Sequence, residues 1–311
     1  MNNTMSPVRT SGTEKKLYQK FLGTLKKDLG AWLIMLPGLL LFIAFVWQPI
    51  VSGIILSFFE TKGFEAVKFT GFQNYVDVIS DSVFISAFLN SLKYTIWSLV
   101  LGFALPIIIA LIINEMVHLK SFFKISVYFP NMAPGIVTAI MWLIIYDPGA
   151  NGILNTIITS MGMEPSQWLQ NSNLTIFLIV VSMTWKGAGG TAILYLASMQ
   201  NVNDELYEAA RIDGAGVWSR IFHVTLPQIS GMIALCFILQ VIGVFQVMVE
   251  PLAMTDGGPN NASISLMLQS YFYAFRFGQA GKSVAVSVIM FLFLMIFTVI
   301  YFAINRKNET D

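Results

Sequence analysis

Apolar residues arrive in long blocks parted by short polar ones. Six blocks, 31–58, 92–114, 123–146, 174–199, 229–250 and 284–304, can each cross about 30 Å of hydrocarbon as a helix of about 20 residues. None carries the ten-residue alternation of an outer-membrane barrel strand. The pattern predicts an all-α polytopic membrane protein of six transmembrane helices within 30–304, flanked by polar tails at 1–29 and 305–311. A polar island at 203–227 interrupts it between the fourth and fifth spans.

The island has the grammar of two short helices. Asn203 is a good N-cap, and Asp204 and Glu205 fall in the first turn, where carboxylates favour the positive end of the helix dipole. A helix is predicted to start near 204. Ala209 and Ala210 leave the backbone open to close approach, and Gly214 and Gly216 can take the positive φ that stops or bends a helix. A second helix is predicted over 217–224, with Pro227 in the first turn of the membrane helix that follows, where a missing N–H costs nothing. The other reading of the same residues is an ordinary amphipathic loop helix.

Composition agrees with the block pattern and closes other classes. A chain 56% hydrophobic, 11% charged and of mean hydropathy +0.70 lies outside the soluble globular range. Twelve Lys and Arg fall on the side of the two tails, the 2–3 turn and the island, against five on the other side. The excess predicts that this side is cytoplasmic. The long polar lead and long first block predict a retained anchor rather than a cleaved signal peptide, with an interfacial helix near 14–27. One cysteine, Cys236, excludes an internal disulfide. The outward connections, 59–91, 147–173 and 251–283, are long, and Phe72-Gln73-Asn74-Tyr75 and Thr255-Asp256-Gly257-Gly258-Pro259 are turn-rich pieces there, able to meet a soluble partner or simply to cap the bundle.

Catalytic chemistry is sparse. His118 and His223 stand in separate loops without metal-ligand spacing, so no metal site is expected. Gly278 to Ser283 ends like a phosphate loop, but a Walker A motif needs a glycine where this chain has Arg276. The chain is therefore expected to be no enzyme, to hold no cofactor and to leave nucleotide binding to another subunit. Ionisable and amide groups inside spans are functional candidates by default because they are costly there. Lys186 is the clearest, between Trp185 and Gly187, or else a structural partner for a carbonyl or for Glu250. Gln240 and Gln246 fall on different helix faces, and Asn131 sits between Pro130 and Pro134, where a proline break can expose backbone to a watery path. Trp142, Tyr146 and Trp185 offer ring faces on which a sugar stacks, although interfacial belts also account for membrane aromatics. A pathway with a single obvious cation, Lys186, argues against a highly charged substrate.

The island carries a resemblance. Glu208-Ala209-Ala210, three residues, Gly214, nine residues, Val224, then Leu226-Pro227 resembles the EAA loop of binding-protein-dependent ABC importers, with Val224 where family members usually have Ile. Phe72 to Tyr75, Tyr128-Phe129-Pro130 with Trp142 and Asp147-Pro148, Trp185-Lys186-Gly187 and Thr255 to Pro259 look like the carbohydrate branch of these permeases, the maltose-type or type I group. The resemblance implies a permease subunit in the bacterial inner membrane that takes up a carbohydrate, an oligosaccharide by preference. Its implied partners are a second permease, two cytoplasmic ATPase subunits and an extracellular solute-binding protein, besides membrane lipid, with no nucleic acid. It also implies that the island couples to the ATPase through Glu208, Ala209, Ala210, Arg211, Asp213, Gly214, Leu226 and Pro227; for the substrate path the candidates remain those read from the spans themselves, Trp185, Lys186, Gln240, Gln246, Asn131 and Trp142. The rival class is an ion-coupled secondary transporter, or half of one, which should show internal repeats and midplane carboxylates. Neither is clear in this chain.

Overall fold

A computed structural model describes residues 29–308 of the chain, with side-chain surroundings through 303; the expected interfacial helix at 14–27 lies outside the described residues. The chain divides into two units, Met1–Ile55 and Leu56–Asp311. The first consists, as described, of helix α1, Leu29–Leu56, whose last residue opens the second unit. Gln48 Nε2 donates to Ser52 Oγ at 3.3 Å on one of its faces.

In the second unit the chain leaves the membrane block as an antiparallel hairpin, β1 Phe59–Lys62 and β2 Glu65–Phe69, closed at Gly63 with φ +62°. Helix α2, Gln73–Ser80, follows. The hairpin is a small departure from the all-helical expectation. Asn74 holds it: its buried amide donates to Ser57 O and Phe59 O, both at 2.8 Å, while Tyr75 OH pairs with Ser57 Oγ at 2.7 Å. The Phe72 to Tyr75 piece thus anchors the start of the segment between α1 and the next long helix, although the Phe72 ring itself stays exposed.

Asp81 caps α3, Ser82–Glu115, which begins ten residues before the expected span. At 34 residues it measures about 51 Å and outruns the hydrocarbon, which explains how Lys93 can sit exposed within it. The expected third span is broken. Helices α4, Lys120–Met132, and α5, Gly135–Ile145, meet at 95°. Pro130 lies inside α4; the break falls at Ala133, which is extended (ψ 137°) because the residue before Pro134 is pushed out of the helical region. A short helix α6, Ile153–Ser160, and a 3-10 turn, Trp168–Gln170, lead to α7, Thr175–Met199, which packs along both α4 and the second half of α3.

The island folds as α8, Asp204–Ile212, and α9, Val217–Gln228, and α9 turns by 70° at Ile229 into α10, Ser230–Phe245. Helix α11, Val249–Thr255, α12, Leu266–Tyr271, and the last helix α13, Ala280–Asn308, complete the order. The fifth span therefore ends at Phe245, short of the expected 250. Four helices, α1, α3, α7 and α13, are long and apolar enough to span unbroken, and the two bent pairs bring the number to six.

Of the four widened π-turns among the described residues, three share one cause, and the fourth, Phe272–Arg276, has no proline after it. Ile43–Trp47, Leu99–Phe103 and Ile221–Thr225 each contain the residue four before a proline, Pro49, Pro106 or Pro227. A proline ring collides with that carbonyl and lacks the N–H to bond it, so the turn opens. Pro227 accordingly sits near the end of α9 rather than in the first turn of the membrane helix.

Buried side chains form three clusters down the second unit. One centres on Phe245, Leu268 and Val286, one on Tyr94, Tyr146 and Ile179, and one on Tyr195, Leu196 and Ile229 at the island end.

Candidate functional site

The island is built from its caps inward. Asn203 Oδ1 accepts from Glu205 N at 3.1 Å and starts α8. At the other end Gly214 N donates to Arg211 O at 3.0 Å and Ala215 N to Ala210 O at 2.9 Å, the paired bonds of a Schellman ending. That ending requires a left-handed residue, and Gly214 supplies φ +77°, whereas Gly216, at φ −69°, is an ordinary residue in this respect. Tyr207 OH meets Thr225 Oγ1 at 3.1 Å and ties α8 to α9. Leu226 packs into the Tyr195, Leu196 and Ile229 cluster, so α9 is bolted to the bundle.

What α8 and α9 leave outside is apolar. Ile212 is 87% exposed, Trp218 73% and Phe222 60%, with the Trp218 and Phe222 rings stacked at 6.4 Å. Leaving such groups in water costs about 1.5–3 kcal/mol each relative to burial. A surface of this kind marks a contact with another protein or with membrane. The sequence reading passed over all three; the signal was an aromatic pair spaced i, i+4 within an otherwise polar segment. Ala209 is exposed and Ala210 half-buried, which leaves the α8 backbone approachable. Asp213 and Pro227 are exposed as well. Glu208 and Arg211 instead turn toward a cavity of 590 Å³ that they share with Glu115, Asp204, Tyr207 and Arg220. Among the described residues neither they nor Asp213 enter an ion pair.

A second constellation surrounds the break between α4 and α5. Trp185 on α7 and Trp142 on α5 stand edge to face at 6.0 Å; Trp142 and Tyr146 lie at 5.1 Å, and Tyr146 and Trp168 at 6.4 Å. Four rings thus form one aromatic wall. Its far end borders a cavity of 300 Å³ lined by Tyr146, Gln167, Gln170 and the Thr255 to Pro259 turn. That turn is held from within, by Thr255 Oγ1 against Ser263 Oγ at 2.7 Å and by the Arg276 and Asp256 ion pair. The Asn131 amide lies over Gly190, in the space a β-carbon there would take, and Lys186 Nζ comes within 3.3 Å of the β position of Gly135, the first residue of α5. Lys186 is half-buried and, among the described residues, has no hydrogen bond or ion pair; Glu250 does not bridge to it. Indole Nε1 of Trp142 is buried without an acceptor.

The two glutamines part company. Gln240 donates to Ser98 Oγ and borders a separate cavity of 160 Å³ with Thr184, Gly187 and Thr191, so it joins α3 to α10. Gln246 is exposed at the end of α10. The phosphate-loop look-alike is also explained: Gly278 O accepts from Gly63 N at 2.8 Å, Gly281 N donates to Thr61 Oγ1 at 3.0 Å, and Lys282 pairs with Asp77 at 3.1 Å. Those residues lash the hairpin to α13.

Comparison with known proteins adds a consistent picture. Residues 102–310 match the model of the family described as binding-protein-dependent transport system inner membrane component. An arabinooligosaccharides transport system permease protein, AraP of Bacillus subtilis, is 28% identical over 299 residues, 96% of this chain and 94% of its own. The probable ABC transporter permease protein YurN of the same species is 32% identical over 84% of this chain and 90% of its own. The trehalose/maltose transport system permease protein MalF of Thermococcus litoralis is 29% identical over 88% and 93%. In fold, a chain of a bacterial ABC transporter involved in the import of the acidic polysaccharide alginate superposes with a TM-score of 0.81 at 24% identity, covering 93% of this chain and 99% of that one. The bundle of broken and unbroken spans, the capped island and these matches have one common reading: the chain belongs to the family of inner membrane components of binding-protein-dependent transport systems.

Proposed function

We propose that this chain is one permease of a heteromeric ABC importer that moves a carbohydrate, an oligosaccharide by preference, into the cytoplasm. It works with a second permease and two ATPase subunits and receives its load from an extracellular solute-binding protein. Support for the substrate class comes from relatives whose names specify arabinooligosaccharides and trehalose or maltose, and from the wall of Trp185, Trp142, Tyr146 and Trp168, whose faces suit the apolar faces of sugar rings. The chain needs no cofactor of its own. Both termini and the island face the cytoplasm, in keeping with the Lys and Arg excess on that side.

The observation that carries the coupling role is the exposed apolar set Ile212, Trp218 and Phe222 on a helix pair whose first helix is capped at both ends and whose second is bolted to the bundle. ATP closes the ATPase dimer, the docked island moves with it, and the bundle turns so that the inner side closes and the outer side opens. ATP drives this only as far as it binds the outward-opening state better than the other. Ala209, Ala210 and Gly214 give close packing in this scheme, Glu208, Arg211 and Asp213 polar contacts, and Leu226 and Pro227 the junction to the bundle.

Trp218→Asp together with Ile212→Asp tests it. Both side chains are exposed, so the fold should tolerate the change within about 0.5 kcal/mol. The variant should insert in the membrane yet lose co-purifying ATPase and ATP-dependent uptake. Normal uptake would remove the island from the coupling path.

A further inference from the structure

Lys186 is the anomaly of the molecule. It lies mid-helix in α7, half-buried, and among the described residues has neither carboxylate nor hydrogen-bond acceptor. Its ammonium adjoins the first residue of α5, whose N-terminus is itself the positive end of an eleven-residue helix and has no side-chain cap. Two like-signed groups have therefore been brought together within an apolar span, where an ionisable group is costly without a partner. Nearby, the Trp142 indole N–H is buried without an acceptor, and the amide nitrogen of Asn131 is directed at Gly190, one turn along α7 from Lys186. Donors gather here and no anionic side chain answers them. Glu250 follows Val249, whose Cγ1 is 3.2 Å from the same Gly135 β position, and among the described residues it forms no bridge. Against this donor set stand the rings of Trp185 and Trp142, 6.0 Å apart.

We infer that the missing counter-charge travels with the cargo: the path selects oligosaccharides that bear a carboxylate, such as a uronic acid residue, which Lys186 holds while the sugar rings lie against the tryptophans. The inference rests on the carbohydrate reading above and narrows it. One ammonium matches one carboxylate at a time, so the fit is to a sparsely charged glycan. Such a ligand has acceptors on the carboxylate and the ring hydroxyls for each unsatisfied donor, which a neutral sugar meets less strongly, since hydrogen bonds between charged partners are about twice as strong.

The experiment uses the whole transporter, both permeases, the ATPase subunits and the binding protein, in proteoliposomes. Two glycans of equal length are supplied, a neutral xylooligosaccharide and the same chain carrying one glucuronate. The intact complex should take up the acidic glycan with the higher kcat/KM, and Lys186→Gln should lower the acidic-over-neutral ratio about tenfold or more, in line with the loss of one hydrogen bond to a charged group. Lys186→Arg should keep the ratio. Three results overturn the inference: no preference in the intact complex, a preference that survives Lys186→Gln, or equal loss of both glycans in Lys186→Gln, which would make the lysine a partner for a carboxylate on the second permease. The carbohydrate reading fails separately if neither glycan enters while the binding protein still stimulates ATP hydrolysis.

Discussion

At Gly189 the backbone of α7 meets the Val127 carbonyl of α4 so closely that a β-carbon would overlap it, whereas at Gly190 a β-carbon would meet only the swinging end of Asn131. The neighbours in sequence should therefore answer differently to alanine. Gly189→Ala is expected to force α4 away at an overpacking cost of about 1–3 kcal/mol, and Gly190→Ala to be nearly silent in stability. Thermal unfolding in detergent reads both, and an equal loss at the two positions would contradict the packing described. The island repeats the contrast through backbone angle instead of space. Gly214 has open surroundings but φ +77°, so Gly214→Val strains the Schellman ending by about 1–2 kcal/mol, while Gly216→Ala, at φ −69°, is neutral. ATP-dependent uptake should fall in the first and hold in the second. Turn propensity alone did not separate the two glycines, since both permit a bend; the resemblance named Gly214, and the hydrogen-bond register of α8 gives the physical reason.

Elements show a similar division between what a pattern carries and what it conceals. Hydropathy located the blocks, since every span must bury its backbone polar groups within itself. The same averaging drew one span through 123–146 and gave no angle to the break that Pro130 and Pro134 suggest; Pro134 sets the 95° corner. The hairpin escaped notice because β2 is exposed along its whole length and lacks an alternating face. What fixes that hairpin is polar. Asp77 is held below the usual carboxylate range by hydrogen bonds from Gln73 and Lys282, and Lys282 belongs to α13. A carboxyl whose folded pKa is lowered lends stability above its unfolded value, about 3.9, and loses it as pH falls through the folded one. Proteolysis at the Lys62 to Gly63 turn should accelerate below about pH 4, and Asp77→Asn should show at neutral pH the faster rate that the native chain reaches only in acid. A rate in Asp77→Asn equal to that of the native chain at both pH values would remove the ion pair from the hairpin's anchorage.

The hairpin precedes α3 and the island cavity touches its last residues, Asn114 and Glu115, so on the proposed topology the two lie on opposite sides of the membrane. With the buried Cys236 replaced by serine, Phe64→Cys in the hairpin turn should react with an impermeant maleimide on intact cells, and Ser219→Cys on α9 only after permeabilisation. The reverse pattern would invert the topology drawn from charge. The corner at Ile229 has a mechanical meaning of its own. Helices α9 and α10 are two arms, about 18 Å and 24 Å long, set at 70° about a fully enclosed side chain, and the longer arm ends at Phe245, beside the Val244 and Val247 that pack with Tyr146. A rigid corner of this shape is a bell crank. Turned by about 10°, it converts a push of about 3 Å at the near arm into a sweep of about 4 Å at the far one, in a new direction. On the proposed coupling role the stroke is enlarged by a third and turned through the 70° bend, so a sideways tug on the island would arrive as a shear against the aromatic wall.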